Sequence, residues 1–383
     1  MERWCPLVLI VLFSVIWRVH RISGETNCPC SNPSLCEPIK DTNRKEVFVF
    51  SLSKDIQTWQ KYNWTKISTV VMVGYYSDDM MCLAHSNGAR VVFIGGVPTE
   101  YLTNATLQEE WVVKNLAIVT QKHLDGINFD YESPIPADRT DLRDGYTALV
   151  RRTYKMFKQY NPSYQVTVDV AWSPACIDQR CYDYKTLATV TDFLFVMSYD
   201  EQSQIKGPCI ALANSGFYKT QSGLQKYFAA GISSDKMVLG VPWYGYYYPC
   251  VDVTEDNTCA IKHVPFRGVN CSDAAGREIN YDFIMHILKN STTGRLWETS
   301  TLTPYFNYKE NGTTYQIRYD DPVSLKFKFD MALRYNLRGV GIWNADALDY
   351  SHDTPEVVHQ RAQMWQAFPD YKKSEPTINS DFI

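Results

Sequence analysis

Gly126-Ile127-Asn128-Phe129-Asp130-Tyr131-Glu132 is a short β-rich run, and seven more like it recur along the chain, at 47–51, 70–74, 90–94, 166–172, 193–199, 237–242 and 339–343. Valine, isoleucine and aromatic residues dominate these runs, as a pleated and buried surface requires. The segments between them are long enough for helices, and 107–122, 138–160 and 222–231 carry apolar residues at helical spacing. Alternation of strand and helix means parallel strands with crossover helices. Eight such units predict an α/β fold of the TIM (β/α)8 barrel type in preference to an open doubly wound sheet. One interval breaks the rhythm. Residues 245–338 separate the seventh run from the eighth, too many for one crossover, and hold three cysteines and three glycosylation sequons. They predict an insertion lobe over 245–320 between strands 7 and 8, followed by a last helix near 322–337.

The composition agrees. The chain has 383 residues, 45% hydrophobic and 21% charged, which excludes a disordered chain, a coiled coil and a collagen. A barrel with insertions can run past about 400 residues, so this length needs no second domain. The net charge is -4, which gives no general pull toward nucleic acid or anionic membrane. Tyrosine and tryptophan are abundant, at 26 and 10; their faces suit sugar rings, but they also fill ordinary cores.

The N-terminus points to the secretory route. Arg3 precedes the apolar run from Leu7 to Trp17, too short to span a bilayer, which takes about 20 residues. Residues 1–24 therefore read as a signal peptide. Its removal takes away Glu2, Arg3, Arg18 and Arg21, a balance of +2, leaving -6. Ten cysteines then remain, an even count that suits disulfides in an oxidising compartment, and 176/181 and 250/259 have the spacing of local loop closures. No short Cys spacing combines with His in a zinc pattern. Sequons start at Asn63, Asn104, Asn270, Asn290 and Asn311. Residues 25–42 form a Cys-rich lead-in, 43–366 the barrel, and 367–383 a polar tail.

In such a barrel the chemistry sits at the C-terminal strand ends. The opening run supplies it. Side chains alternate along a strand, so Asn128, Asp130 and Glu132 share one face. Burying neighbouring carboxylates costs free energy through desolvation and like-charge repulsion. The alternative is a salt-bridged or solvated acidic strand end, but no basic residue lies in 125–138 to pair locally.

The run from Asp125 to Glu132 resembles the Asp-Gly-x-Asp-x-Asp-x-Glu motif of glycoside hydrolase family 18, the chitinase family. Met197-Ser198-Tyr199-Asp200 is similar to its sixth-strand motif, Gly240-Val241-Pro242-Trp243-Tyr244-Gly245 to its seventh-strand segment, and Trp343 falls where the family keeps a Trp at the floor of the sugar site. The resemblance covers about residues 28–366. One departure is Asn128, where the chitinase pattern has Asp; it leaves one carboxylate fewer beside Asp130 and Glu132.

The resemblance implies a retaining glycosidase with substrate-assisted catalysis. Glu132 would be the general acid and then base, and Asp130 would orient the 2-acetamido group of an N-acetylglucosamine. Tyr199 would bond the acetamido oxygen, while Asp200, Asn128, Tyr244 and Trp343 would help hold the sugar; for Tyr244 and Trp343 the alternative is plain barrel filling. Asp125, Gly126 and Met197 read as structural members of the motifs. The expected substrate is the GlcNAc-β-1,4-GlcNAc (chitobiose) unit at the reducing end of oligosaccharides from N-linked glycoproteins, cleaved in the lysosome, with secretion as the alternative destination. The alternatives are an endo-acting chitinase or endo-β-N-acetylglucosaminidase of the same family, or a non-catalytic lectin, a reading that the acidic Glu132 argues against. No cofactor, no metal, no nucleic acid and, after signal removal, no membrane is expected as a partner of what reads as a monomer.

Overall fold

The structure is a computed structural model that describes residues 27–41 and 44–371. The signal-peptide reading of residues 1–24 and the tail beyond residue 371 lie outside the described residues. Seven parallel strands come first: β1 (Glu46–Ser51), β2 (Thr69–Met72), β3 (Arg90–Ile94), β4 (Gly126–Phe129), β5 (Gln165–Ala171), β6 (Phe193–Met197) and β7 (Met237–Pro242). A lobe follows, with β8 (Tyr244–Val253), β9 (Cys259–Ile261), β10 (Arg277–Asn280), β11 (Leu296–Glu298), β12 (Thr303–Glu310) and β13 (Thr313–Arg318). Then β14 (Gly339–Trp343) pairs with both β7 and β1 and closes an eight-stranded parallel barrel. The expected TIM-type barrel and its lobe between the seventh and eighth barrel strands are both present. The lobe sheet has the order β10-β8-β13-β12-β11, and a single residue, Trp243, separates β7 from β8. It therefore rises from the C-terminal mouth of the barrel.

The helical crossovers include α1 (Ile56–Trp59), α2 (Asp78–Ser86), α3 (Ala105–Gln121), α4 (Thr140–Tyr160), α5 (Tyr184–Thr189) and α6 (Phe217–Ala229). In the lobe lies α7 (Tyr281–Leu288), and α8 (Pro322–Arg334) and α9 (Pro355–Gln366) flank the last barrel strand. The spacing expectation for 222–231 began too late: α6 starts at Phe217, whose ring is buried, because the polar stretch Lys219-Thr220-Gln221 hides the first turn of the apolar face. The α4 face shows the expected logic, burying Leu142, Tyr146, Leu149, Val150, Thr153 and Phe157 at steps of three and four. Asn104 caps α3, its side chain accepting from the N–H groups of Thr106 and Leu107.

Alternation along each strand makes two cores. Val47 and Val49 face the helices, whereas Phe48 and Phe50 face the barrel axis with Val71, Val92, Phe193, Phe195 and Val238. Each fully buried Phe or Val is worth about 1.5–3 kcal/mol of transfer free energy. Glycines make room for this interior. A Cβ on Gly240 would lie 2.3 Å from Phe195, and one on Gly341 would lie 2.7 Å from it.

All ten cysteines after the expected signal peptide form disulfides, Cys28–Cys36, Cys30–Cys82, Cys176–Cys181, Cys209–Cys271 and Cys250–Cys259. The second ties the lead-in to α2, and the fourth ties the loop after β6 to the lobe. Packing continues to Phe368, which is buried against Trp243, Phe329 and Trp365. Of the sequon asparagines, Asn104, Asn270, Asn290 and Asn311 are exposed and Asn63 is half-buried.

Candidate active site

β4 ends at Phe129, and the chain runs on through Asp130, Tyr131 and Glu132 at the mouth of the barrel. Alternation persists beyond the strand: Phe129 and Tyr131 are buried outward in an aromatic cluster with Tyr146, while Asp130 and Glu132 turn to a cavity of about 190 Å³. Asp169, Met197 and Tyr199 line that cavity from β5 and the end of β6, and Trp343 lines it from β14. Asp200, Tyr244 and Glu278 complete the wall. A larger cavity of about 490 Å³ lies beside it, between Trp172, Lys219 and residues 201–212. Its one carboxylate, Glu201, is already committed, accepting from the Gly216 N–H and the Thr220 hydroxyl.

Three members of the acidic run, Asp125, Gly126 and Asn128, do not line this cavity. Asp125 sits at the opposite end of β4, where it accepts from the N–H groups of Ile39 and Val91 and bonds His85 at 2.7 Å. It anchors the lead-in to the bottom of the barrel. Gly126 has φ +152°, and a Cβ there would fall 1.8 Å from the Gln165 carbonyl oxygen, so β4 and β5 could not close around a larger residue. Asn128 lies just beneath the cavity, fully buried. Its amide donates to Asp169 Oδ2 at 2.7 Å, and its carbonyl oxygen accepts from the Thr167 hydroxyl at 2.6 Å. The missing carboxylate at 128 is thus matched by one on the adjacent strand. The expectation of a less acidic cluster has to be revised, because cross-strand neighbours are invisible to local spacing.

A second revision concerns Glu132. It has no basic partner within 125–138, but Arg180 reaches it at 2.6 Å from the loop closed by Cys176–Cys181. The same guanidinium bonds Asp178 at 3.2 Å, and Asp178 accepts from the Ser203 hydroxyl. The Glu132 side chain is 53% exposed and Arg180 10%, so the pair is a rim contact whose strength water screens.

The environments of the carboxyls differ. Burial, then the charge of Glu132, pushes Asp130 up to about 7, and Arg180 opposes the rise. Burial raises Asp169 well above the carboxylate range, with Asp130 adding to it and the Asn128 bond opposing. Asp200 follows β6 with φ +48°, a conformation Asp tolerates better than most residues. Its N–H is held by Asn214 at 2.8 Å, and its Oδ1 accepts from Tyr244 at 2.5 Å and Tyr246 at 3.1 Å. Burial raises Asp200, and these two bonds restrain it. Tyr244, Tyr246 and Tyr248 share one face of β8, and the β8–β10 register sets Glu278 opposite Tyr246. Trp343 rests on Phe50, ring centroids 5.1 Å apart.

The arrangement offers an open carboxyl beside a buried one, phenolic donors, and an indole floor over an aromatic barrel interior. That set suits a neutral, hydroxyl-rich ring with an amide substituent. The sequence reading singled out Asp130, Glu132, Met197, Tyr199, Asp200, Tyr244 and Trp343, which the fold does bring together on this cavity; Asn128, expected to help hold the sugar, is instead fully buried beneath it with both polar atoms bonded to Asp169 and Thr167. That reading missed Asp169, Arg180, Tyr246 and Glu278. Only Asp169 left a local signal, an acid inside the apolar run Val166-Thr167-Val168-Asp169-Val170.

The model of glycosyl hydrolases family 18 matches residues 46–347. Di-N-acetylchitobiase of Rattus norvegicus is 44% identical over 362 residues, covering 94% of this chain and 97% of that protein. Di-N-acetylchitobiase of Homo sapiens is 44% identical over 347 residues, covering 90% and 89%. Among solved structures, a chitinase from Rhizomucor miehei is similar in fold, with a TM-score of 0.66, 19% identity, and coverage of 86% of this chain and 100% of that one.

Proposed function

This chain belongs to glycosyl hydrolases family 18 and is a glycoside hydrolase, and on that premise we propose that it cleaves the GlcNAc-β-1,4-GlcNAc bond at the reducing end of oligosaccharides from N-linked glycoproteins, in the lysosome. The observation that carries this reading is the pairing of buried Asp130 with open Glu132 on one cavity, faced by tyrosine hydroxyls and an indole. Relatives named di-N-acetylchitobiase along almost the whole chain support the substrate.

In the proposed reaction Glu132 leaves Arg180, takes up a proton from solvent, and donates it to the glycosidic oxygen as the bond to the anomeric carbon breaks. The carbonyl oxygen of the sugar's own acetamido group attacks that carbon and forms an oxazolinium ion. Asp130 accepts from the acetamido N–H and balances the positive charge that develops there. Tyr199 bonds the acetamido oxygen and positions it for attack, Asp200 and Tyr244 hold the sugar, Asn128 supports Asp169 from beneath, and Trp343 carries the apolar ring face. Water, deprotonated by Glu132, then opens the oxazolinium ion from the face the leaving group vacated, so configuration is retained. Buried Asp169 favours its neutral form, which together with the acid step suits an acidic compartment. No helix among the described residues is long and apolar enough to cross a membrane.

The test is release of N-acetylglucosamine from a reducing-end chitobiose oligosaccharide, compared with cleavage of long chitin and of intact glycoprotein. Glu132→Gln should fold normally and lose about 10²–10⁴-fold in kcat. A variant retaining more than half the activity, or a wild-type preference for long chitin or intact glycoprotein, would reject the reading.

A further inference from the structure

We propose that Asp169 is the positioning residue for Asp130: its carboxylic O–H donates to the buried Oδ1 of Asp130, while Asn128 holds its other oxygen. This inference rests on the glycosidase reading and deepens it. The geometry begins with Thr167, whose hydroxyl fixes the carbonyl oxygen of Asn128 at 2.6 Å and so turns the amide N–H toward Asp169 Oδ2 at 2.7 Å. That bond settles one oxygen of Asp169. Among the described residues, the other oxygen, Oδ1, is buried without a hydrogen-bond partner, and so is Oδ1 of Asp130. Both carboxyls line the same cavity.

Two acceptor oxygens buried with no donor are unfavourable, more so if both carboxyls are ionised. One proton held between them satisfies both. It resides on Asp169, the more deeply buried of the two, which is 2% exposed. The groups facing the pair agree. Glu132 adds negative charge from the loop after β4, and Tyr146 on α4 and Tyr199 after β6 present neutral phenols. Among the described residues, the cation acting on the cluster is Arg180, which pairs with Glu132 and Asp178. Asp130 is then a carboxylate oriented from below, its remaining capacity directed at the acetamido N–H. Asn128 is the clamp for the proton donor, which gives its amide a role that a carboxylate at 128 could not fill.

Asp169→Asn separates positioning from mere packing. Its amide is a permanent donor to Asp130, so kcat should stay within about threefold of wild type. The acidic limb of the pH–rate profile should move to lower pH, because Asp130 loses a titrating neighbour. Asp169→Leu, nearly isosteric but without a donor, should lower kcat roughly 10–100-fold with little change in KM, the scale of a misplaced catalytic group. An Asp169→Leu enzyme within twofold of wild type, or an Asp169→Asn enzyme whose acidic limb does not move, overturns the proposal. A readout without substrate keeps it apart from the glycosidase reading. In the free wild-type protein labelled with ¹³C-aspartate, the Asp169 carboxyl, assigned by its loss in Asp169→Asn, should still carry a proton at pH 6. Titration of Asp169 near the ordinary value of about 4 refutes the positioning role even in an active enzyme.

Discussion

Tyr244→Phe removes a single oxygen from the cavity wall and takes from Asp200 its nearer donor, at 2.5 Å, leaving Tyr246 at 3.1 Å. The ring can stay where it is, against Tyr199 and Tyr246, so burial is nearly unchanged and the loss is the hydrogen bond. A bond to a charged acceptor is worth about 1.5–3 kcal/mol and one to a neutral acceptor about 0.5–1.5. Which value applies depends on the proton. Burial raises the Asp200 carboxyl above its ordinary value, and Tyr244 is the largest influence holding it down. The folded protein thus binds this proton more tightly than the unfolded chain does. The stability Asp200 contributes is full below the unfolded value of about 3.9 and is lost as pH rises through the folded value. Without Tyr244 the rise is larger, so the loss is steeper. The expected penalty is about 1.5–3 kcal/mol near pH 7.5 and about 0.5–1.5 kcal/mol near pH 4. Urea unfolding followed by tryptophan fluorescence, with the disulfides intact, measures both. Equal penalties at the two pH values, or a larger one in acid, would refute the argument that Tyr244 stabilises a buried carboxylate.

Gly240→Ala places a Cβ 2.3 Å from Phe195, which Phe48 and Phe50 hold in place. It should cost about 1–3 kcal/mol, read as a lowered Tm, with Phe195→Leu in the same chain recovering part of it; a Tm within a degree of wild type contradicts the packing. The loop between Cys176 and Cys181 carries Asp178 and Arg180, and its short closure, a sequence separation of 5, contributes about 2 kcal/mol, against roughly 4 kcal/mol for Cys209–Cys271 with its separation of 62. Replacing Cys176 and Cys181 by Ala should therefore lower kcat/KM more than the Cys209/Cys271 pair does while lowering Tm less, and the reverse ranking would sink this account.

The barrel was legible because eight runs of branched and aromatic residues, spaced by helical segments, leave few other ways to bury their surface. Asp130 and Glu132 were legible because a period of two puts them on one face wherever the strand happens to end. Arg180 was not, since its approach to Glu132 depends on how the loop after β5 folds back under a disulfide. Glu278 was less so, because it reaches the cavity through an antiparallel register across a lobe whose strands show no regular spacing from the barrel. Asp169 could have been read: an acid flanked by valines in a buried strand needs a partner. Its partner, Asn128, was on the page as a departure from a motif, and the two residues explain each other only once β4 and β5 lie side by side.

The lobe leaves the barrel after Pro242, between β7 and β8, and returns at Pro322, the start of α8. Both junctions fall on the same stretch of the barrel wall, so the 80 or so residues between them behave as a cassette set into an otherwise complete scaffold. In the proposed reaction proton handling is written on β4 and β5, whereas Tyr244 and Glu278, which line the same cavity, are written in the cassette. Chemistry and selectivity therefore have separate addresses in the chain. Drift or engineering within 244–318 can change which sugar is admitted, and how many of its neighbours, without rewriting the strands that break the bond.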